Sequence, residues 1–312
     1  MRTHVDRDEL VFFTTLATHA SLSAAARTLT LSTAAVSKRL AAMEQRLGVS
    51  LLRRSTRRMG LTPEGELYLQ HARRILADLQ DLEQLVSGAR SAPRGLLRVN
   101  ATLGFGRTQV APLLSRFARR HPDVELQLQL SVDPPALTDN SFDVCIRFGE
   151  PPDARVMARR IAANRRVLVA APAYLQRHGT PQTPRDLVAH RCIGIRQGDE
   201  AFGNWRLARR RGHGPLQFET VKVRGPLSTN DGEIAVNWAL DGHGILLRAE
   251  WDVARYLRSG RLRQVLTDYE TPNADIYAVY PQRLQTAARV QVFVDFLAEA
   301  LQAAPAHKLA AS

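Results

Sequence analysis

Cysteine, lysine and long apolar runs are scarce in this chain of 312 residues. The scarcity of cysteine argues against a disulfide-rich protein, and the lack of long apolar runs argues against a membrane-spanning one. The two cysteines, Cys145 and Cys192, both lie in apolar segments, which favours buried reduced thiols over a disulfide framework. No apolar run approaches the roughly 18 residues that a membrane-spanning helix needs. The opening segment MRTHVDRDEL is charged and has no apolar signal core, so we expect a cytoplasmic protein that does not bind a membrane.

The motifs of common enzyme classes are also missing. There is no Gly-x-Ser-x-Gly elbow and no P-loop, and none of the nine histidines belongs to a His-Glu-x-x-His pattern. We therefore predict no catalytic residue, no metal and no cofactor. The segment VNATLGFGRTQV places Gly104 and Gly106 between a strand and a helix, as a dinucleotide-binding turn does, but Gln109 replaces the third glycine. A nucleotide-dependent α/β enzyme is kept only as an alternative.

What the chain has in excess is positive charge, with a formal net charge of +13. Between Ala24 and Thr62 there are eight basic residues against one acid, Glu44. Such a cluster is able to neutralise the phosphate groups of a nucleic acid. The alternative is a solvated surface in a chain that takes nearly all its positive charge from arginine, since only three of its 43 basic residues are lysine.

A helix-turn-helix is predicted within residues 1–62. Apolar residues at helical spacing indicate a helix over 33–47, and a shorter helix with a serine cap fits 23–29. Leu31 and Ser32 form a tight turn between them, which is typical of this motif. The small residues of the second helix have a mechanical role, because they let it cross the third helix closely and make the third helix protrude.

The protruding third helix carries polar groups on the face opposite its apolar stripe. Residues at the N-terminal end of such a helix reach base edges in the major groove of DNA. The basic segment that follows is expected to form a wing beside the phosphate backbone. The predicted DNA-binding residues are Ser23, Thr33, Ser37, Lys38, Arg39, Arg53, Arg54 and Arg57.

A long helix is predicted over residues 63–90, opened by Thr62 as N-cap and by Pro63. Its apolar residues are spaced alternately four and three apart, as in a heptad repeat, over about 42 Å at 1.5 Å per residue. The predicted dimerisation residues are Tyr68, Ala72, Ile75, Leu79, Leu82 and Val86. The spacing favours pairing with a second copy of the chain. The alternative is an amphipathic helix that packs on its own domain.

Strands and helices alternate after this helix, which predicts an α/β domain over 91–312. The length of this part is sufficient for two small α/β lobes with a cleft between them. We place the first lobe at about 91–165 with 268–302, and the second at 166–267.

The segment SLSAAARTLTLSTAAVSKRLAAMEQRLGVSLLRRSTRRMGLTPEG, residues 21–65, resembles the LysR-type transcriptional regulators. It has the family order of Ala-Ala, Val-Ser-Lys/Arg, Leu-Gly, a basic wing and Leu-Thr-Pro-x-Gly, and the resemblance extends over about residues 6–301. Two departures are Leu52, where the family often has Phe, and Thr33-Ala34, where it often has a Gln-Pro type start. The second departure lies at the base-contact edge, so the resemblance does not carry over a DNA sequence preference.

The resemblance implies a winged helix-turn-helix, a linker helix that pairs subunits, and a two-lobe α/β effector domain like periplasmic solute-binding proteins. It also implies a dimer or tetramer that binds double-stranded DNA at an inverted repeat, responds to a small-molecule effector and contacts RNA polymerase. A plain solute-binding protein is the second alternative, and the basic N-terminal helices argue against it.

By position, the resemblance places base contacts at Thr33, Ser37 and Lys38 and phosphate contacts at Arg53 and Arg54. It places the effector between the lobes, where ligands gather at the carboxyl ends of strands and anions at helix N-termini. The matching effector-binding residues are Thr102, Ser131, Arg147, Phe148 and Asn230.

Arg147 offers a fork for a carboxylate, although an ion pair with a nearby acid explains it equally well. Thr102 and Ser131 are also suited to plain turn or cap positions. The chain is thus predicted to be a sequence-specific DNA-binding regulator, controlled by a small molecule for which a carboxylate is suggested.

Overall fold

The computed structural model divides the chain into two compact units, residues 1–91 and 92–312, which are treated separately. Within the part of the chain that the structure describes, no helix has the length and apolarity to cross a membrane. The described residues are 6–54, 59–87, 92–133, 135, 141–149, 156–196, 203–209 and 216–302.

The N-terminal unit is a helix-turn-helix followed by a two-stranded antiparallel wing and a long helix. Its elements are α1 (Arg7–Ala17), α2 (Leu22–Thr28), α3 (Thr33–Leu47), β1 (Leu52–Arg54), β2 (Met59–Leu61) and α4 (Pro63–Ser87). The side chains of Asp6, Ser21 and Ser32 cap the first three helices, since each accepts a hydrogen bond from the backbone N–H three residues later. The second helix therefore begins at Leu22, one residue before its predicted start.

The core of this unit lies where α1, α2 and α3 meet. Ala25 and Ala26 are buried there, as expected for a close crossing of α2 and α3. α3 buries its apolar stripe and ends at Gly48, which has the left-handed φ of 70° that glycine tolerates without strain. The stripe consists of Val36, Leu40 and Met43.

Gly65 holds the start of α4 against the segment before the wing. A methyl group on Gly65 would lie 2.0 Å from the carbonyl oxygen of Leu51, whereas one on Gly60 would meet no atom within 4 Å. We expect Gly65→Ala to lower the free energy of unfolding by about 1–3 kcal/mol, because overpacking against backbone exceeds the helix propensity that alanine adds. Gly60→Ala, the matched control, should change it by less than about 0.5 kcal/mol. Thermal melts of the two variants measure the difference, and equal melting temperatures would contradict the proposed contact.

The C-terminal unit alternates strands and helices, as predicted. Its elements are β3 (Gly95–Thr102), α5 (Leu103–Phe105), α6 (Ala111–Arg120), β4 (Val124–Ser131), β5 (Val144–Phe148), β6 (Val156–Ala162), β7 (Arg166–Ala170), α7 (Pro172–His178), β8 (Cys192–Ile195), β9 (Asn204–Arg209), β10 (Glu219–Lys222), β11 (Ser228–Thr229), α8 (Gly232–Leu240), β12 (Ile245–Ala249), α9 (Glu250–Arg258), β13 (Arg263–Val265), β14 (Tyr269–Glu270), β15 (Ile276–Pro281) and α10 (Ala288–Gln302).

Two sheets define the two lobes. The first has the strand order β4-β3-β5-β15-β6, in which β3 is parallel to both β4 and β5, and its core contains residues of α6 and α10. The second has the order β11-β8-β12-β7-β13, with a core that contains residues of α8 and α9. A three-stranded sheet, β10-β9-β14, adds to the second lobe.

Two segments cross the predicted boundary between the lobes. Tyr269 pairs with Arg209 of β9, so β14 belongs to the sheets of the second lobe although the prediction assigned it to the first. The chain returns to the first lobe only after Glu270. In the other direction Trp251, at the start of α9, is buried in the first lobe's core, with its ring 5.3 Å from that of Phe105. Backbone pairing and aromatic packing decide these positions, and neither has a local sequence signal.

Candidate nucleic-acid interface and ligand cleft

The outward face of α3 carries the residues predicted to reach DNA bases. Thr33 and Lys38 are exposed and Ser37 is half-buried, whereas Val36 and Leu40 on the other side are buried. The hydroxyl of Ser32 accepts a hydrogen bond from the N–H of Ala35. Because the hydroxyl of Ser32 caps α3, the side chains of Thr33, Ser37 and Lys38 are not needed to satisfy the N-terminus of the helix.

Arg39 and Ser23 have contacts within the domain. The guanidinium carbon of Arg39 lies 4.6 Å from the ring centroid of Phe12 on α1, a cation–π contact that turns this exposed side chain toward α1. The hydroxyl of Ser23 lies 3.1 Å from that of Ser21, beside the cap of α2. Their predicted roles in DNA binding stay predictions.

The wing is anchored by the one acid of the basic cluster. Glu44 Oε1 accepts hydrogen bonds from the N–H groups of Leu51 at 2.7 Å and Leu52 at 3.2 Å. The carboxylate thereby fixes the start of β1 relative to α3, which the sequence did not reveal. Arg53 on β1 is exposed, and the side chain of Arg54 and the whole of Arg57 lie outside the described residues.

The predicted dimerisation residues divide into two groups. Tyr68 packs edge-on against Phe13 at 5.1 Å and donates a hydrogen bond to Glu9, which also pairs with Arg46. Burial, then this hydrogen bond, raises the pKa of Tyr68 to about 12. Ala72 is also buried. Tyr68 and Ala72 are therefore covered within the chain itself, whereas the heptad pattern predicted that they contact a second chain.

The remaining dimerisation residues form a narrower surface. Ile75 and Leu82 are 45% and 55% exposed, and Leu67, which the heptad did not include, is 57% exposed. We call these three the apolar stripe of α4. Leu79 is half-buried beside the stripe, and the side chain of Val86 lies outside the described residues.

Three predicted effector-binding residues lie in one row across the first lobe's sheet. Thr102 at the end of β3 pairs in register with Ser131 at the end of β4. Ala101 pairs with Ile146 on the other side, so the next step places Thr102 beside Arg147 of β5. All three strands run in the same direction, and their carboxyl ends form one edge of the sheet.

Ser131 is engaged by a buried amide that the sequence analysis missed. Its hydroxyl lies 3.1 Å from Asn100 Nδ2 and 3.2 Å from Asn100 Oδ1. Asn100 is 1% exposed and also bonds the carbonyl of Gln129 and the thiol of Cys145. Ser131 is therefore held in one position. The signal in the sequence was the polar Asn100 between the apolar residues Val99 and Ala101 of β3.

Arg147 has unused donor capacity. Its Nε is buried and has no hydrogen-bond partner among the described residues, and none of the described acids forms an ion pair with it. The ion-pair alternative therefore has no support in the described part of the chain. Leaving a buried donor unpaired costs about 1–3 kcal/mol, so an acceptor placed beside this Nε would be stabilising.

The other two predicted effector residues lie apart from this row. Phe148 is the next residue to Arg147 on β5, so its side chain points to the opposite face, where its ring lies 5.5 Å from that of Phe105. Asn230 is exposed before α8. The helix N-terminus there is capped by Asp231, whose Oδ1 accepts from the N–H groups of Glu233 and Ile234. Because a carboxylate already occupies this N-terminus, it is not an anion site by itself.

Beside the row, one ion pair joins the two lobes and a second lies within the second lobe. Arg107, after the end of β3, pairs with Glu233 of α8 at 2.7 Å. Arg248 of β12 pairs through Nε with Asp252 at 2.5 Å. None of these four residues was predicted. The ion pair of Arg107 with Glu233 connects segments more than 100 positions apart, and that of Arg248 with Asp252 depends on the junction between β12 and α9.

The cysteines are unsuited to chemistry at neutral pH. Burial raises the pKa of Cys145 to about 11, against a smaller opposing effect of the Arg147 charge, and burial raises that of Cys192 to about 12. Both thiols are buried and free. Within the described ranges, no group of three or more His, Cys, Asp or Glu side chains is arranged to hold a metal ion.

A surface cavity of about 680 Å³ lies elsewhere on the second lobe, between β10 and residues 184–189. None of the predicted effector residues lines it. Its cations include Arg185 and Lys222, which makes it the competing place for an anionic ligand.

Comparisons with known proteins agree with this architecture. A family model described as LysR substrate binding domain matches residues 90–302, and one described as bacterial regulatory helix-turn-helix protein, lysR family, matches 8–66. The chain is 42% identical over 290 residues to the HTH-type transcriptional regulator DmlR of Escherichia coli, covering 93% of this chain and 92% of that protein. It is 38% identical over 278 residues to the E. coli HTH-type transcriptional activator TtdR, covering 89% and 88%. The structure of CrgA, a LysR-type transcriptional regulator from Neisseria meningitidis, matches with a TM-score of 0.57 and 30% identity, covering 96% and 99%.

Proposed function

Because this chain belongs to the LysR family of transcriptional regulators, with its DNA-binding and effector domains both present, we propose that it reads an operator through α3 and responds to a small carboxylate. The observation that carries the carboxylate is the buried Nε of Arg147 at the carboxyl edge of the first lobe's sheet, which has no hydrogen-bond partner among the residues that the structure describes. The family models and the relatives named above are those of transcriptional regulators, which favours a regulator over a nucleotide-dependent enzyme or a plain solute-binding protein.

DNA reading is assigned to the exposed face of α3. Thr33, Ser37 and Lys38 lie in its first two turns, where residues of a protruding helix contact base edges. Arg53 on the wing is in a position to contact phosphate. Two copies of the chain would place two such helices on the half-sites of an inverted repeat, about one helical turn or a multiple of it apart.

Self-association is assigned to the apolar stripe of α4. A row of apolar side chains on one helix, each about half exposed, is the surface that a second identical helix covers in a coiled coil. The proposed working location is the cytoplasm, where the operator and RNA polymerase, the expected partner in transcription, are found.

Effector binding is expected to act through the two lobes. A ligand that contacts both lobes favours one arrangement of them, and it shifts the equilibrium only by its difference in affinity for the two arrangements. The shift alters how subunits assemble and hence the DNA-bound population. Arg147 supplies the charge for the carboxylate, and Thr102 lies beside it in the sheet.

The effector assignment predicts a ligand-dependent melting temperature that needs Arg147. In thermal-shift assays of the full-length protein with acetate, succinate and benzoate, at least one should raise the melting temperature by about 5 °C at 100 times its dissociation constant. Arg147→Ala should abolish this shift, because it removes the guanidinium fork. Arg185→Ala, an equal loss of charge at the surface cavity, should retain it.

Two results would contradict the effector assignment. One is the absence of a shift with all three carboxylates. The other is a shift that persists in Arg147→Ala and disappears in Arg185→Ala, which would move the ligand to the surface cavity.

A further inference from the structure

Arg248 occupies the place where the two lobes come together. Its side chain is 12% exposed, and its guanidinium rests on the first residue of α8: a methyl group on Gly232 would lie 1.9 Å from Nη2 and 2.1 Å from Cζ. A methyl group on Gly104, in the first lobe, would lie 3.5 Å from the same Nη2. One side chain thus lies close to elements of both lobes.

Both glycines are next to predicted effector positions. Gly104 follows Thr102 by two residues, and Gly232 follows Asn230 by two residues. The guanidinium of Arg248 therefore lies between the two walls of the cleft that the effector is proposed to occupy. The ion pair of Arg107 with Glu233 joins the same two segments.

The donors of Arg248 are only partly used. Nε donates to Asp252 Oδ2 at 2.5 Å, and Nη1 and Nη2 have no hydrogen-bond partner among the described residues. Asp252 thereby fixes the plane of the guanidinium and leaves its outer edge available. Four N–H groups on a planar fork suit two oxygens of a carboxylate.

The positive end of α8 does not compete for this role. Asp231 already accepts the free N–H groups of the helix N-terminus, and Glu233 adds a second negative charge there. The guanidinium of Arg248 is the charged group of this wall, among the described residues, that is able to donate to an anion.

We propose, on the basis of the carboxylate-sensing function above, that Arg248 is a specificity-determining residue that binds the effector's carboxylate or a second acceptor oxygen through Nη1 and Nη2. Asp252 acts as the positioning residue, and Gly232 is required because its missing side chain admits the guanidinium. By holding the effector from a position between Gly104 and Gly232, Arg248 links ligand binding to the arrangement of the lobes.

The glycine supplies a test that leaves Arg248 in the chain. Since the obstacle to a methyl group on Gly232 is the flexible end of an arginine, Gly232→Ala should displace the guanidinium and change the melting temperature of the unliganded protein by less than about 2 °C. Alanine at the first position of a helix is also acceptable to the backbone. A loss of ligand affinity without loss of stability is an outcome that a purely structural Arg248–Asp252 pair does not produce.

Isothermal titration of the full-length protein with acetate, succinate and benzoate measures the effect. We expect Arg248→Met and Gly232→Ala each to raise the dissociation constant of the bound carboxylate by about 10–100-fold, as for the loss of a charge-assisted hydrogen bond. Arg185→Met should leave it unchanged. Gly232→Ala decides the matter if Arg248→Met fails to fold.

The outcomes separate this proposal from the function on which it rests. Unchanged affinity in both Arg248→Met and Gly232→Ala, with binding lost in Arg147→Ala, overturns the role of Arg248 alone. No binding of any of the three carboxylates to the unmodified protein overturns the carboxylate function and the role of Arg248 together. Loss of binding only in Arg185→Met places the ligand in the surface cavity and likewise overturns both.

Discussion

Replacing Ser37 and Lys38 together by alanine is expected to weaken specific binding to the operator by at least about 100-fold. The two side chains lie on the outward face of α3, one half-buried and one exposed, and neither contributes to the core. A good base contact is worth about 1–3 kcal/mol of discrimination, and the effect is doubled when two half-sites are occupied. Gel-shift titration against the DNA upstream of the protein's own gene measures it.

The same titration separates base reading from phosphate attraction. If Lys38 contacts a base, the variant loses its preference for the operator over unrelated DNA. If it contacts only phosphate, binding to both DNAs weakens alike and the salt dependence falls by about one unit per lysine. Gln45→Ala, at an exposed position two turns further along α3, is the control and should bind normally. Undiminished specific binding by the double variant would overturn the assignment of α3 as the reading helix.

The N-terminal unit was predictable because its signals are local. The cap residues, the spacing of Val36, Leu40 and Met43, and Gly48 at the end of α3 act within a few residues of one another. The structure confirms a helix over Thr33–Leu47 for these reasons. The role of Glu44 was not predictable, because its partners are the backbone N–H groups of the wing, and any accessible carboxylate satisfies them equally well.

The ligand cleft was only half predictable. The family resemblance supplied Thr102, Ser131 and Arg147, and the rule that ligands gather at the carboxyl ends of strands supported their placement at the ends of β3, β4 and β5. The sheet register then determined that Phe148 lies on the other face, and a strand boundary error of one residue reverses that result. Arg248 escaped prediction because its proposed role depends on two glycines that are distant in sequence, and glycines give no direct indication of what packs against them.

The heptad pattern located the long helix α4, but the apolar surface that α4 exposes differs in part from the predicted one. Heptad spacing marks one face of α4, but it does not say whether the chain's own α1 or a second chain covers each position. α1 covers Tyr68 through the Phe13 ring and the Glu9 carboxylate, and Ala72 is buried within the chain's own fold. The face available to a partner is rotated away from these two residues toward Leu67, Ile75 and Leu82.

Because the buried and the exposed apolar residues of α4 are different residues, subunit association can be tested separately from folding. Ile75→Glu with Leu82→Glu should at least halve the mass of the oligomer in solution, because pairing would bring four carboxylates into one apolar interface at a cost of several kcal/mol. The unpaired chain tolerates the change, since both positions are about half exposed, so circular dichroism should remain that of the folded protein. Light scattering after gel filtration gives the mass.

Operator binding by this variant should fall with its association. A single α3 occupies one half-site, and the advantage of binding two linked half-sites, about 100-fold or more, is lost when the subunits separate. Gln70→Glu, an added charge at an exposed position on another face of α4, controls for charge alone and should keep both mass and affinity. Ala72→Glu, at a buried position, should instead unfold the N-terminal unit. An unchanged mass for the double variant would show that the apolar stripe of α4 does not hold the subunits together.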